Sequence, residues 1–169
     1  MKHRAFAALG ELGLNCTCAD QTIAMTRESV LRGDCHVAVC EGHLVGTMTL
    51  YATDDEASCE LYRHGDVASV RQFAVDPAWQ ARGIGTLMIA FAEHWAATRG
   101  YVQLALDLPQ TATQQIGFYR GQGFRIVDFV RFEGKRYDSA ILSKLPVAMR
   151  TLANWSQRLH ATPSIARAA

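Results

Sequence analysis

The chain has 169 residues, 49% of them hydrophobic and 20% charged. That is a globular mixture, which excludes a largely disordered chain, and the length suits one domain burying about 70% of its unfolded surface. The net charge of +1 lacks the basic excess of a protein built around phosphate backbones, so nucleic acid is not expected as a partner.

Met1-Lys2-His3-Arg4 is basic, but the apolar stretch behind it is broken by Gly10 and Glu11, so no signal peptide is read there. Lys2–Leu12 reads as a helix. Cys16-Thr17-Cys18 has neither zinc-ligand spacing nor a matching pair downstream, so no metal is expected. Five cysteines, an odd number, point to free thiols in a reducing cytoplasm. No run of ~18 apolar residues is present, so no transmembrane helix and no membrane partner are expected.

Gln21–Arg32 reads as a second helix, and Gly33-Asp34 as a turn. Cys35–Cys40 and Leu44–Tyr51 flank Glu41-Gly42 and read as a hairpin. Asp54, Asp55, Glu56, Glu60 and Asp66 then fall in one window opposed by Arg63 alone. Such a window is either a solvated loop or a landing site for a cationic substrate. Ala68–Val75 is a strand that must stop at Asp76-Pro77, because proline cannot donate to a ladder.

Gly83–Thr98 is the strongest helix signal. Ile84, Leu87, Met88, Phe91, Ala92 and Trp95 form one apolar stripe, and Gly100 occupies a C-terminal cap position. Tyr101–Asp107 reads as a strand with Val102, Leu104 and Leu106 on one face. Thr113–Gly121 reads as a helix, and Phe124–Arg131 and Tyr137–Ser143 as strands joined across Glu133-Gly134-Lys135. In the tail, Val147, Leu152, Trp155 and Leu159 suit one helical face, and Thr162–Ala169 is expected to fray. This order predicts a mixed α/β domain over residues 1–146, then a basic tail over 147–169.

The segment Val70 to Thr86 carries the chemistry. A strand stops at proline, a glycine-containing loop follows, and the amphipathic helix begins. Amides at a helix N-terminus lack intrahelical partners and sit at the positive end of the dipole, and glycine lets a ligand approach them. That is an anion site suited to phosphate or diphosphate, with Arg82 as a charged donor beside it. The lysine of a P-loop is absent, and Met88 stands where a dinucleotide fold has its third glycine. What remains is [R/Q]-x-x-G-x-[G/A], met by Gln80, Gly83 and Gly85.

Three stretches together, Phe73-Ala74-Val75-Asp76-Pro77, Gln80 to Gly85, and Phe118-Tyr119-Arg120-Gly121-Gln122-Gly123-Phe124, resemble the GNAT superfamily of acyl-CoA-dependent N-acyltransferases. The resemblance runs from about Cys35 to Leu145. It implies the GNAT fold, a mixed, mostly antiparallel central sheet with a V-shaped splay, flanked by helices. It further implies acetyl-CoA as cosubstrate and transfer of its acetyl group to an amine acceptor. The pantetheine arm would lie along Phe73, Ala74 and Val75 like an added strand, with the diphosphate on the amides of Ala81, Arg82, Gly83, Ile84, Gly85 and Thr86. Val75 N–H would face the oxyanion, and Tyr119 would give a proton to the departing thiolate.

Many members carry a glutamate base near the position of Ser69. Asp66, His64 and Glu60 lie nearby in sequence and are the candidates for that role, His64 having the most suitable reference pKa, about 6.5. Ala112 and Gln115 stand where members often have Asn and Ala. A non-catalytic acyl-CoA-binding regulator on the same fold is the alternative, as is an interaction module acting through the tail. A homodimer is an arrangement the sequence allows.

Overall fold

The computed structural model describes residues 22–148 and 164–167. The readings on Lys2–Leu12, on Cys16 and Cys18, and on the helical face of Leu152, Trp155 and Leu159 lie outside the described residues.

Helix α1 (Ile23–Arg32) is capped by Thr22, whose hydroxyl accepts from the Met25 amide. Strands β1 (Asp34–Cys40) and β2 (His43–Tyr51) form the expected hairpin. A 3-10 turn at Glu60–Arg63 leads into β3 (Val67–Val75). After Asp76-Pro77 come α2 (Ile84–Thr98), β4 (Gln103–Pro109), α3 (Thr113–Gly121), β5 (Arg125–Val130) and β6 (Ser139–Lys144). The sheet runs β5-β6-β4-β3-β2-β1 and ends on a further strand, β7 (Ser164–Arg167). Every pairing is antiparallel except β3 with β4. A parallel neighbour needs a crossover, and α2 supplies it.

The core lies between α2 and the sheet. Ile84, Leu87, Met88, Ala92 and Trp95 of the predicted stripe are buried, joined by Ile89 and Ala96. Helix α2 ends as anticipated at Gly100 (φ +83°). The Gly100 amide donates to Ala97 C=O and the Tyr101 amide to Ala96 C=O, a Schellman closure that stacks Tyr101 on Trp95 with ring centroids 5.8 Å apart.

Two expectations need correction. Val102 does not share a face with Leu104 and Leu106; it precedes β4 and is 52% exposed, while Ala105 is fully buried. Strand β4 is central and covered on both faces, so strict alternation fails. Nor does the chain end fray over Ser164–Arg167. These residues pair with Val39 to His36 of β1, and Arg167 reaches Asp34 at 2.8 Å. An uncovered β1 edge offers unpaired backbone groups that any extended segment can satisfy, and four residues are too few to carry a period. The tail of 147–169 therefore contributes its end to the sheet of the preceding domain.

Gly46 shows how tightly β2 meets α2. A Cβ there would stand 2.7 Å from Met88 Sδ and 3.3 Å from both Ala38 Cβ and Ala74 O. With backbone on one side, Gly46→Ala is expected to cost ~1–3 kcal/mol as overpacking. The melting temperature should fall by roughly 2–12 °C, read by thermal denaturation.

Candidate active site

Strands β3 and β4 pair only at Val67, Ala68 and Ser69 with Gln103, Leu104 and Ala105. Beyond Ser69 they part. On the other side of β3 the register with β2 shifts between Thr47 and Thr49, which face Ala74 and Arg71. Gln72 takes φ +53° at that point. This is a β-bulge, which bends a strand and re-aims its side chains, and here it turns the end of β3 away from β4.

The backbone direction follows from one hydrogen bond. The Asp76 amide donates to Val45 C=O on the β2 side. Successive amides alternate along a strand, so Val75 N–H faces the open gap. Val75 C=O faces it too and is taken by Gln80 Nε2 at 3.0 Å. Among the described residues no strand pairs with β3 along this edge beyond Ser69.

The gap opens into a cavity of about 950 Å³. Phe73, Ala74 and Val75 form one wall, and Gln80, Ala81, Gly83, Ile84, Gly85 and Thr86 one end. Tyr119 also lines it, its ring packed edge-on against that of Phe73 with centroids 5.9 Å apart. All predicted cofactor residues but one therefore meet on one surface. Arg82 is the exception, for it does not line the cavity and lays its guanidinium over Trp79, 4.9 Å from the ring centroid.

Gly83 is the N-cap of α2 at φ +81°, and no side chain caps the helix. The first helical bond runs from the Leu87 amide to Gly83 C=O, so the amides before it find no acceptor within the helix. Ala81 also adopts a positive φ, +58°, and successive turns of this kind point amides into a common hollow suited to an anion. Gly85 has a different reason. A Cβ there would crowd Phe118 at 3.2 Å and touch Phe73 at 3.8 Å, so packing against these rings favours glycine.

The candidate bases do not join this site. Glu60, His64 and Asp66 are exposed and line no part of the cavity. Asp66 precedes β3, with its carbonyl accepting from the Val102 and Gln103 amides. At ~3.3 Å per residue it stands about 23 Å along the strand from Phe73. Ser69 is buried, with a hydroxyl that finds no partner. It is the last β3 residue in register with β4.

Two acids line the cavity, Glu28 on α1, which is exposed, and Asp107 on β4, beside the gap between β3 and β4. Asp107 is surrounded by β4 and its neighbours but is exposed to solvent through the cavity it lines. Burial raises its pKa above the usual carboxylate value, opposed by the hydrogen bond from Tyr62 and the charges of Arg71 and Lys135. Tyr62 Oη donates to Oδ1 at 2.9 Å, and burial together with Asp107 holds that phenol well above its ordinary pKa. Sequence reasoning passed over Asp107. The available signal was a single acid inside Leu104-Ala105-Leu106-Asp107-Leu108, since a charge in a central strand is rare without a task.

The acidic window is not a ready cation site. Asp54 turns its carboxylate onto Arg71 (3.1 Å) and Arg32 (3.7 Å), while Asp55, Glu56, Glu60 and Asp66 are exposed. Among the described residues, no three His, Cys, Asp or Glu side chains are grouped to hold a metal. No helix there is long and apolar enough to cross a membrane.

Residues 15–124 match the profile of the Acetyltransferase (GNAT) family. The chain belongs to the GNAT family. This GNAT chain is 30% identical over 87 residues to the [ribosomal protein bS18]-alanine N-acetyltransferase of Salmonella typhimurium, a match spanning 50% of this chain and 59% of that relative. The chain thus covers less than two thirds of the relative's length. Among solved structures, a Bacillus subtilis acetyltransferase in complex with CoA superposes with a TM-score of 0.61 at 19% identity, over 76% of this chain and 86% of that one. An Elizabethkingia anophelis GNAT acetyltransferase with acetyl-CoA bound gives a TM-score of 0.60 at 20% identity, over 76% and 86%. The ribosomal-protein-S18-alanine N-acetyltransferase of Escherichia coli gives 0.56 at 21% identity, over 75% and 78%. At these identities the likeness is one of fold, and the fold is the GNAT sheet with its splayed strands.

Proposed function

We propose that this GNAT protein transfers an acetyl group from acetyl-CoA to the amine of an acceptor by direct attack. The observation that carries the reading is the meeting of an unpaired β3 edge, an uncapped α2 N-terminus and Tyr119 on one cavity.

The pantetheine amides fit the open edge of Phe73–Val75 as an added strand. The amides of Ala81 and Gly83–Thr86 fit the diphosphate. Gln80 supports this wall by fixing Val75 C=O. Arg82 contributes through its charge and its backbone amide, its guanidinium being engaged with Trp79.

In the chemical step, Asp107 accepts a proton from the acceptor ammonium, directly or through water, since only the neutral amine attacks. Nitrogen bonds to the thioester carbon, and Val75 N–H donates to the oxygen that takes up charge. The C–S bond then breaks, Tyr119 gives its phenolic proton to the departing thiolate, and the second proton released by the nitrogen returns through water to the Tyr119 phenolate. The products are the N-acetylated amine and free CoA. Desolvation suits Asp107 to this role, because a raised pKa strengthens a carboxylate as a base at neutral pH. Glu60, His64 and Asp66 take no part in this scheme.

The experiment is thiol release from acetyl-CoA over a panel of amines, with wild type and Tyr119→Phe. Wild type should release thiol in an amine-dependent manner. Tyr119→Phe should lower kcat by about 10²-fold or more while changing CoA affinity less than threefold. Equal turnover in the variant removes Tyr119 from the chemistry. No amine-dependent release from wild type, with CoA still bound, favours the non-catalytic acyl-CoA-binding alternative.

A further inference from the structure

A second cavity of about 380 Å³ adjoins the first. Arg32, Arg71, Asp107 and Lys135 line both, and so form the throat between them. Three of these four side chains are cationic. Two further acids line the small cavity, Asp54, which is engaged by Arg32 and Arg71, and Glu56, which is exposed. The throat thus sets three cationic side chains around one acid, the candidate base.

Arg71 is held in place. Its guanidinium lies 4.9 Å from the Tyr51 ring centroid and 5.0 Å from that of Tyr62. Tyr51 is itself tied to Ser29 C=O at 3.0 Å. One terminal nitrogen of Arg71 donates to Asp54 at 3.1 Å, while its buried Nε has no hydrogen-bond partner. A buried N–H without an acceptor is costly, and a guanidinium fork fixed between two rings matches a planar carboxylate. Asp107 hangs from the same Tyr62 ring through the phenol, so one small molecule reaches both groups.

We infer that the acceptor is a small amine carrying a carboxylate, of the free amino-acid type. Its amine faces Asp107 and its carboxylate takes the accessible end of the Arg71 guanidinium, with the charge of Lys135 in support. This rests on the acetyltransferase reading and adds the acceptor class to it. It disfavours two others on physical grounds. A polyamine would bring further positive charge into a throat already lined by three cations. A polypeptide N-terminus has a neutral amide where a free amino acid has its carboxylate, and brings no charge to the Arg71 guanidinium. The smaller cavity lies at the low end of the ~300–1,000 Å³ usual for ligand pockets.

The test has two arms. Thiol release from acetyl-CoA is measured with the free amino acids, the matching amino-acid amides and spermidine, using wild type, Arg71→Gln, Arg71→Lys and Lys135→Gln. Separately, the CoA-saturated protein is titrated calorimetrically with N-acetyl amino acids and their amides, which needs no chemistry. Free acids should exceed their amides about 10–100-fold in kcat/KM, and N-acetyl acids should outbind N-acetyl amides by a similar factor. Arg71→Gln should raise KM for acids more than for amides, any change in kcat from the lost charge beside Asp107 being common to both, and Arg71→Lys should restore part of the preference. If Arg71→Gln fails to fold, the wild-type ratio and its reduction in Lys135→Gln decide the matter. Amides or spermidine equalling the acids, or a preference that survives Arg71→Gln, overturns the inference. If no amine turns over but the calorimetric preference stands, the catalytic reading falls and carboxylate recognition remains.

Discussion

Asp107→Asn should lower kcat by about 10²–10⁴-fold without lowering the melting temperature at pH 7. The two halves follow from one cause. Burial raises the Asp107 pKa in the folded protein, so between the unfolded and folded values the native state binds more protons than the unfolded chain. Stability then falls as pH rises through that window, and above it the ionised carboxylate is a standing cost. Asparagine removes the charge and still accepts the hydrogen bond that Tyr62 donates to Oδ1. The variant should be at least as stable as wild type at pH 7, and the difference should shrink as pH falls toward the ordinary carboxylate pKa. Thiol release and thermal melts at both pH values check this. Retained activity would assign the proton to another group.

Gly83→Asp should weaken CoA binding about 10³-fold, a fully negative side chain near a diphosphate costing about 4 kcal/mol at ~4 Å and an effective dielectric of ~20. The position is a helix N-cap at φ +81°, so some strain accompanies any side chain. Gly83→Ala carries that strain without the charge and should lose far less. Calorimetric titration of both variants separates the effects, and equal losses would show that backbone conformation, not an anion, is what Gly83 serves.

How much the sequence disclosed depended on the range of the interactions involved. The stripe Ile84 to Trp95, the stop at Asp76-Pro77 and the cap at Gly100 are local, and each stands in the fold where its pattern placed it. That these residues line one cavity was legible for the same reason, since Phe73–Val75 and Gly83–Thr86 are neighbours along the chain. The candidate base was not. Asp107 meets Tyr62, 45 positions away, and reaches the cavity only because β4 parts from β3 after Ser69. Choosing Asp66, His64 and Glu60 by proximity to β3 selected the wrong end for the cavity, because a strand carries neighbours in sequence far apart in space. The β3 bulge at Gln72 gave no compositional signal. Strand β7 escaped notice because its order comes from the β1 edge it covers, not from its own four residues.

In the proposed reading an acyl-CoA lies between the open edge of β3 and the N-terminus of α2. The most direct measurement is a titration of isotopically labelled protein with CoA, followed amide by amide by NMR. The account predicts saturable shifts at Ala81 and Gly83–Thr86, with Phe73 and Val75 moving at the same CoA concentrations. Shifts confined to other surfaces, with these amides unmoved at saturation, would contradict it.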